Sequence, residues 1–302
     1  MRRFFPLLAL LLLFSPAAAQ VPNAKPPIYG VHYTFERMVA ERPVDDAYDK
    51  GVIQLVSYVY RPMINPSGEV VVVLHGSTGG MATSPAEIIN PGAFPIGFLI
   101  ERGYTVVIPM RGGRAGSSGH YVEECAYHAG KCSLADYREL AASGIADAVA
   151  STEVVVDQIV MKRLQPKLGR FLLWGGSRGG LLALRYAAAH PERVRGVIAV
   201  SPGWLSMTDK WPEEENRLRL TLQRSLLAEA GKLYKGPTLW VYADADPFYP
   251  EALTRQLFEA YSTAGGSGRY VQVRNHKLPT GHQPPVDLWQ SDADNFLVAL
   301  RK

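Results

Sequence analysis

Short, unbroken apolar runs alternate along this chain with longer stretches of helical period. Val70–Leu74, residues 104–109, residues 171–174 and Val194–Val200 have the length and β-branched content of strands buried on both faces of a parallel sheet. Residues 237–242 and 270–273 extend the series. Residues 52–60 instead alternate apolar with polar, which predicts an antiparallel strand early in the chain. Between the strands, residues 85–102 predict a helix with a broken start, stopped by Gly103. Residues 136–162 contain a second helix, an Ala/Leu-rich third follows Ser177, and residues 284–302 close with another. This alternation predicts an α/β protein with a mostly parallel, doubly wound sheet and right-handed crossovers. Residues 201–235 carry Trp204, Trp211 and the acidic run Glu213, Glu214 and Glu215. They read as a small cap insertion, too short for a second domain.

The first residues stand apart. Arg2 and Arg3 precede an apolar stretch at 7–14, and Ala17, Ala18 and Ala19 supply small residues before Gln20. That pattern predicts a secretory signal peptide over 1–19, and the stretch is too short to span a bilayer. The remainder, 20–302, has the length of a single domain. The expectation is an exported protein, periplasmic or extracellular, without a stable membrane anchor. The formal net charge is +4, and removing Arg2 and Arg3 leaves +2. With no block of Lys and Arg interleaved with aromatics, nucleic acid is not an expected partner. The two cysteines, Cys125 and Cys132, lie close together in a chain read as exported, which predicts a local disulfide. A zinc site from Cys125, Cys132, His120 and His128 is the rival, but the spacing matches no closed four-ligand pattern.

Candidate chemistry centres on Gly175, Ser177 and Gly179, which fit G-x-S-x-G between a strand and a helix. A Ser at the tip of such a sharp turn has its hydroxyl clear of the sheet. Neighbouring chain must then pass close by, which calls for residues without bulk at Gly175, Gly176, Gly179 and Gly180. The helix start beneath the Ser places a positive dipole end where an oxyanion would form.

With Ser177 followed by Asp244 or Asp246 and then His282, the chain resembles the α/β-hydrolase superfamily from about Val52 to its C-terminus. The resemblance implies a Ser-Asp-His triad. Asp246 is favoured as the acid because Asp246-Pro247 matches the family's placement past the strand end. A Gly common near position 243 is Ala243 here. His282 is favoured over His276 because Gly281 lets its loop turn tightly. His75, Gly76 and Ser77 resemble the family's HG-x corner, implying that the backbone N–H groups of Ser77 and Arg178 form the oxyanion hole. The segment from Arg111 to Gly119 resembles its RG-x-G-x-S loop, where Arg111 and Arg114 are candidate contacts for an anionic substrate.

The small cap and the glycines after Ser177 look like the branch holding dienelactone hydrolases and prolyl-oligopeptidase-type peptidases. The former usually carry Cys where this chain has Ser177, and the latter a large propeller for which there is no room here. The expected activity is therefore hydrolysis of a small-molecule carboxylic ester by a serine esterase, through an acyl-enzyme, with no metal or organic cofactor. A peptidase or amidase with the same triad, and a non-catalytic binding protein on the same fold, are the competing readings.

Overall fold

A computed structural model of the chain describes residues 32–46, 48–77, 90–91, 94–123, 134–208, 212–274, 281–282, 284 and 286–301. In chain order the elements are β1 (Tyr33–Asp45), β2 (Lys50–Pro62), β3 (Val70–Leu74), α1 (Ile96–Glu101), β4 (Thr105–Pro109) and α2 (Leu134–Val155). The last continues as π-helical turns over Val156–Leu164. Then come β5 (Phe171–Gly176), α3 (Arg178–Ala189), β6 (Val194–Val200), α4 (Glu213–Leu233), β7 (Thr238–Ala243), α5 (Glu251–Thr263), β8 (Arg269–Val273) and α6 (Gln290–Arg301). Among the described residues the strands form one sheet in the order β1-β2-β4-β3-β5-β6-β7-β8. β2 runs antiparallel to both β1 and β4. The remaining pairings are parallel, as the apolar runs predict.

Every residue of β3 is buried, and its alternate side chains feed two different cores. Val70, Val72 and Leu74 point into one, with Ile145 of α2, Leu181 of α3, Leu227 of α4 and Leu257 of α5. Val71 and Val73 point into the other, with Phe98 of α1, Trp174 of β5, and Trp289 and Leu297 at α6. A sheet covered on both faces has no room for polar alternation, which is why its central strands are continuously apolar. The register of β3 and β5 sets Leu74 beside Gly175, so both strands end at the same edge and deliver the loops that follow them to one place.

The described part of the first predicted helix begins at Ile96 and ends where Gly103 takes φ +80°. A Cβ on Gly103 would lie 2.3 Å from the Asn65 carbonyl oxygen, so this stop requires glycine. The structure adds two elements that the sequence pattern did not single out, β1 and α5. Within the stretch read as a cap, α4 is the crossover between β6 and β7 and packs against α3 and α5. The leader at 1–19 and the segment holding Cys125, Cys132 and His128 lie outside the described residues, as do His276 and Trp211. Of the proposed zinc ligands, His120 is described, and its Nδ1 lies 2.8 Å from Oδ1 of Asp49. No described helix is long and apolar enough to cross a membrane.

The glycines around Ser177 are not equivalent. A Cβ on Gly179 would fall 2.0 Å from the Leu74 carbonyl oxygen, and one on Gly175 would fall 2.1 Å from that of Gly179. On Gly180 it would come 3.0 Å from Pro202, whereas on Gly176 it meets nothing within 4 Å. Backbone oxygens cannot swing aside as a side chain can. Gly179→Ala is therefore expected to cost about 3 kcal/mol or more of stability, while Gly176→Ala stays within about 0.5 kcal/mol. Urea unfolding of the two variants checks this, and equal midpoints would contradict the close approach.

Candidate active site

Ser177 sits between β5 and α3 with φ +54° and ψ −122°. That is left-handed territory for a residue with a side chain, and such positions cost of order 1–3 kcal/mol. The surroundings hold it there. The Ser177 N–H donates to the Val200 carbonyl at 2.8 Å. Its own carbonyl accepts from Gly180 at 2.9 Å and from Gly203 at 3.2 Å. Arg178 is the first residue of α3, where the N–H groups of the first turn have no intrahelical acceptor. The loop after β3 runs alongside: a Cβ on Gly76 would lie 3.3 Å from both Cβ of Ser177 and the carbonyl oxygen of Gly176. Ser77, the next residue, is exposed. The structure thus brings together the two backbone segments expected to supply the oxyanion hole.

Asp246 and His282 also meet. Nδ1 of His282 is 2.9 Å from Oδ2 of Asp246. The other carboxylate oxygen accepts from the N–H groups of Phe248 at 2.8 Å and Tyr249 at 3.1 Å. The Asp246 side chain is 0% exposed, and a carboxylate so buried must be hydrogen-bonded at both oxygens to remain charged. With the acid at Nδ1, the hydrogen-bond pattern assigns the ring proton there and leaves Nε2 as the acceptor. Asp244, by contrast, sits in the turn after β7, and its N–H donates to the Val273 carbonyl. Of the two carboxylates, Asp246 lies within hydrogen-bond distance of the His282 ring.

Three further residues hold the imidazole, and none was singled out from the sequence. Phe248 meets the ring edge-on, with centroids 4.9 Å apart, and Tyr249 lies 5.5 Å away on centroids. Ser201, itself at φ +44°, donates its hydroxyl to the His282 carbonyl at 2.9 Å. The two aromatics follow directly after Asp246-Pro247, a signal available in the sequence. Ser201 had none, because only the folded end of β6 brings it beside a loop so distant in the chain.

The two arginines named as candidate substrate contacts, Arg111 and Arg114, are both buried. Arg111 is 4% exposed and faces the equally buried Glu123 through Nε and Nη2. The same guanidinium donates to the carbonyls of His75 at 2.6 Å and Gly76 at 2.9 Å. Arg114 is 3% exposed, with its guanidinium 3.3 Å over the Tyr121 ring. Both are buried: Arg111 braces the loop beside Ser177, and Arg114 packs on an aromatic face. The Arg178 side chain turns back to the Trp204 carbonyl and the Tyr121 hydroxyl, both at 3.1 Å.

His75 belongs to the same brace. Its Nδ1 is 2.9 Å from the Gly76 carbonyl, and Nε2 accepts from the Arg111 N–H at 3.4 Å. Burial, with Arg111 adding repulsion, holds the imidazole well below its usual range, so it is neutral. Removing Arg111 would leave Glu123 buried without its main partner. Arg111→Met is expected to cost about 3–5 kcal/mol. Thermal unfolding measures it, and an unchanged midpoint would refute the brace.

The geometry defines a strand–turn–helix serine and an Asp-held histidine on a mostly parallel sheet. The chain belongs to the alpha/beta hydrolase fold family, whose profile matches residues 69–233. It is 32% identical over 135 residues to a proline iminopeptidase of Neisseria gonorrhoeae, a match covering 44% of this chain and 33% of that one. The chain thus spans about a third of the length of that curated relative. Its structure is similar to that of an esterase of Pyrococcus furiosus, with TM-score 0.58, 17% identity and 93% of each chain covered. It is also similar to an acylaminoacyl peptidase solved with a chloromethyl ketone, with TM-score 0.58, 14% identity, 89% of this chain and 41% of that one. At those identities the two solved structures speak for the fold.

Proposed function

We propose that this protein is an exported serine hydrolase that cleaves carboxylic esters through Ser177, His282 and Asp246. The observation that carries the reading is the hydrogen bond from His282 to a fully buried Asp246, on the sheet edge where Ser177 is held in a strained turn. In the proposed reaction, Nε2 of His282 takes the Ser177 proton as Oγ attacks the ester carbonyl. Asp246 keeps the ring in the right tautomer and stabilises its charged form. The N–H groups of Ser77 and Arg178 receive the oxyanion. The alcohol leaves with the proton from His282, and water activated by the same ring then hydrolyses the acyl-enzyme. Each of these steps is performed by groups of the chain itself.

Export rests on the leader pattern at 1–19, and the Cys125–Cys132 disulfide on the compartment that pattern implies. A second reading, a peptidase or amidase with the same triad, is favoured by the stretch 32% identical to a proline iminopeptidase. Labelling one portion of the purified protein with a fluorophosphonate, and assaying a second, unlabelled portion on esters of graded acyl length and their matching amides, tests both readings. Labelling at Ser177 with ester turnover ahead of amide turnover supports the first. Faster amide cleavage moves the assignment to the second, and failure to label removes both.

A further inference from the structure

Two adjacent aromatics in the loop between β7 and α5 go opposite ways. Tyr249 is 3% exposed, whereas Phe248 is 42% exposed. A single exposed phenyl is ordinary on a protein surface, but this one meets the proposed general base. Its ring stands edge-on to that of His282, with centroids 4.9 Å apart. The backbone of Phe248 is pinned from both sides. Its N–H donates to Oδ1 of Asp246 at 2.8 Å, and its carbonyl accepts from the Met207 N–H at 2.8 Å. Pro247 and Pro250 flank the aromatic pair and restrict the loop further. The phenyl is therefore held beside the imidazole and open to solvent before any substrate arrives. Seating the imidazole does not require that exposure, since the buried Tyr249 ring also lies beside it, 5.5 Å away on centroids.

We propose that Phe248 selects the alcohol part of the ester, favouring an apolar, flat alcohol such as a benzyl group over a small one. The proposal rests on the serine-hydrolase reading. In that reaction the bond between the acyl carbon and the alcohol oxygen breaks, and the leaving oxygen takes its proton from Nε2 of His282. That oxygen must come within hydrogen-bond reach of the imidazole, roughly 3 Å. The group it carries then lies against whatever flanks the ring, while the acyl group stays bonded to Ser177. Of the two aromatic rings that meet His282 among the described residues, Phe248 is the one with apolar surface left to cover. Covering it with an apolar group gains free energy in proportion to area, and an aromatic ring adds edge or offset contacts. A surface already in place offers this without a cost of ordering. A methyl group covers little of it.

Benzyl and methyl esters of one acid give the same acyl-enzyme, so a difference between them arises in the alcohol part. The wild type is expected to favour the benzyl ester by about tenfold in kcat/KM, and Phe248→Ala to remove most of that preference. A loss of rate common to both esters, from a looser imidazole, cancels in the ratio. Phe248→Leu serves if Phe248→Ala does not fold, and is expected to lower the ratio about threefold by losing the aromatic face. The reverse step gives a second measure on the wild type alone: benzyl alcohol is expected to outcompete methanol for the acyl-enzyme by about the same tenfold. A wild type without these preferences, or a folded variant that keeps them in full, overturns the proposal, while fluorophosphonate labelling of Ser177 leaves the hydrolase assignment standing. If the wild type is not labelled, the serine-hydrolase reading fails and this proposal with it.

Discussion

Ser177→Ala is expected to fold like the wild type and to lose ester turnover by on the order of 10⁴-fold or more. The side chain is half-buried, and the substitution removes one oxygen from a turn held by backbone hydrogen bonds, all of which survive. Stability should change little, because a small side chain at φ +54° carries the same strain whether it ends in a hydroxyl or a hydrogen. The pairing of full fold with lost rate separates a nucleophile from a structural serine. Turnover on a reactive aryl ester and the urea midpoint, measured on the same preparation, check it. Residual activity of a tenth of wild type would move the nucleophile elsewhere.

Asp246→Asn is expected to lower kcat by about 10⁴-fold, and Asp244→Asn by no more than a few-fold. An asparagine at 246 can still accept from Phe248 and Tyr249. At the other position it presents either an amide N–H to Nδ1 or an oxygen without charge. In the first case the imidazole carries its proton on Nε2 and cannot act as base. In the second the charged form of the ring loses its counter-ion. Asp244 lies in the turn after β7, where its backbone N–H donates to the Val273 carbonyl, a bond that Asp244→Asn keeps. Steady-state kinetics of both variants decide the matter, and the reverse ranking would transfer the acid to Asp244.

Much of the fold could be read along the chain because its central strands are buried on both faces. Val70–Leu74 and Val194–Val200 coincide with β3 and β6 as observed, since continuous apolarity is itself the mark of that burial. β1 escaped notice because it is an edge strand whose residues are mostly exposed or half-buried, and an edge strand need not carry a core pattern. Residues 201–235, read as a small cap, hold α4, a crossover helix with its first-turn carboxylates at the favourable end of the dipole.

The candidate site divides along the same line. The candidates Ser177, Asp246 and His282, with Asp244 as the alternative acid, and the glycines beside Ser177 came from the sequence, because a strand–turn–helix serine needs small neighbours at fixed spacing and leaves a local imprint. What the tertiary structure alone decided is which groups surround those three. It turned Arg111 and Arg114 inward, although an arginine in a loop is usually solvated. Glu123, brought against Arg111, is the counter-ion that makes that burial tolerable. It placed Ser201 on the His282 carbonyl and the Tyr249 ring beside that of His282. These contacts join residues far apart in the chain, through the shared edge where β3, β5, β6 and β7 all end. Spacing along the sequence carries no trace of such contacts, because the sheet, not the local chain, sets the distance between them.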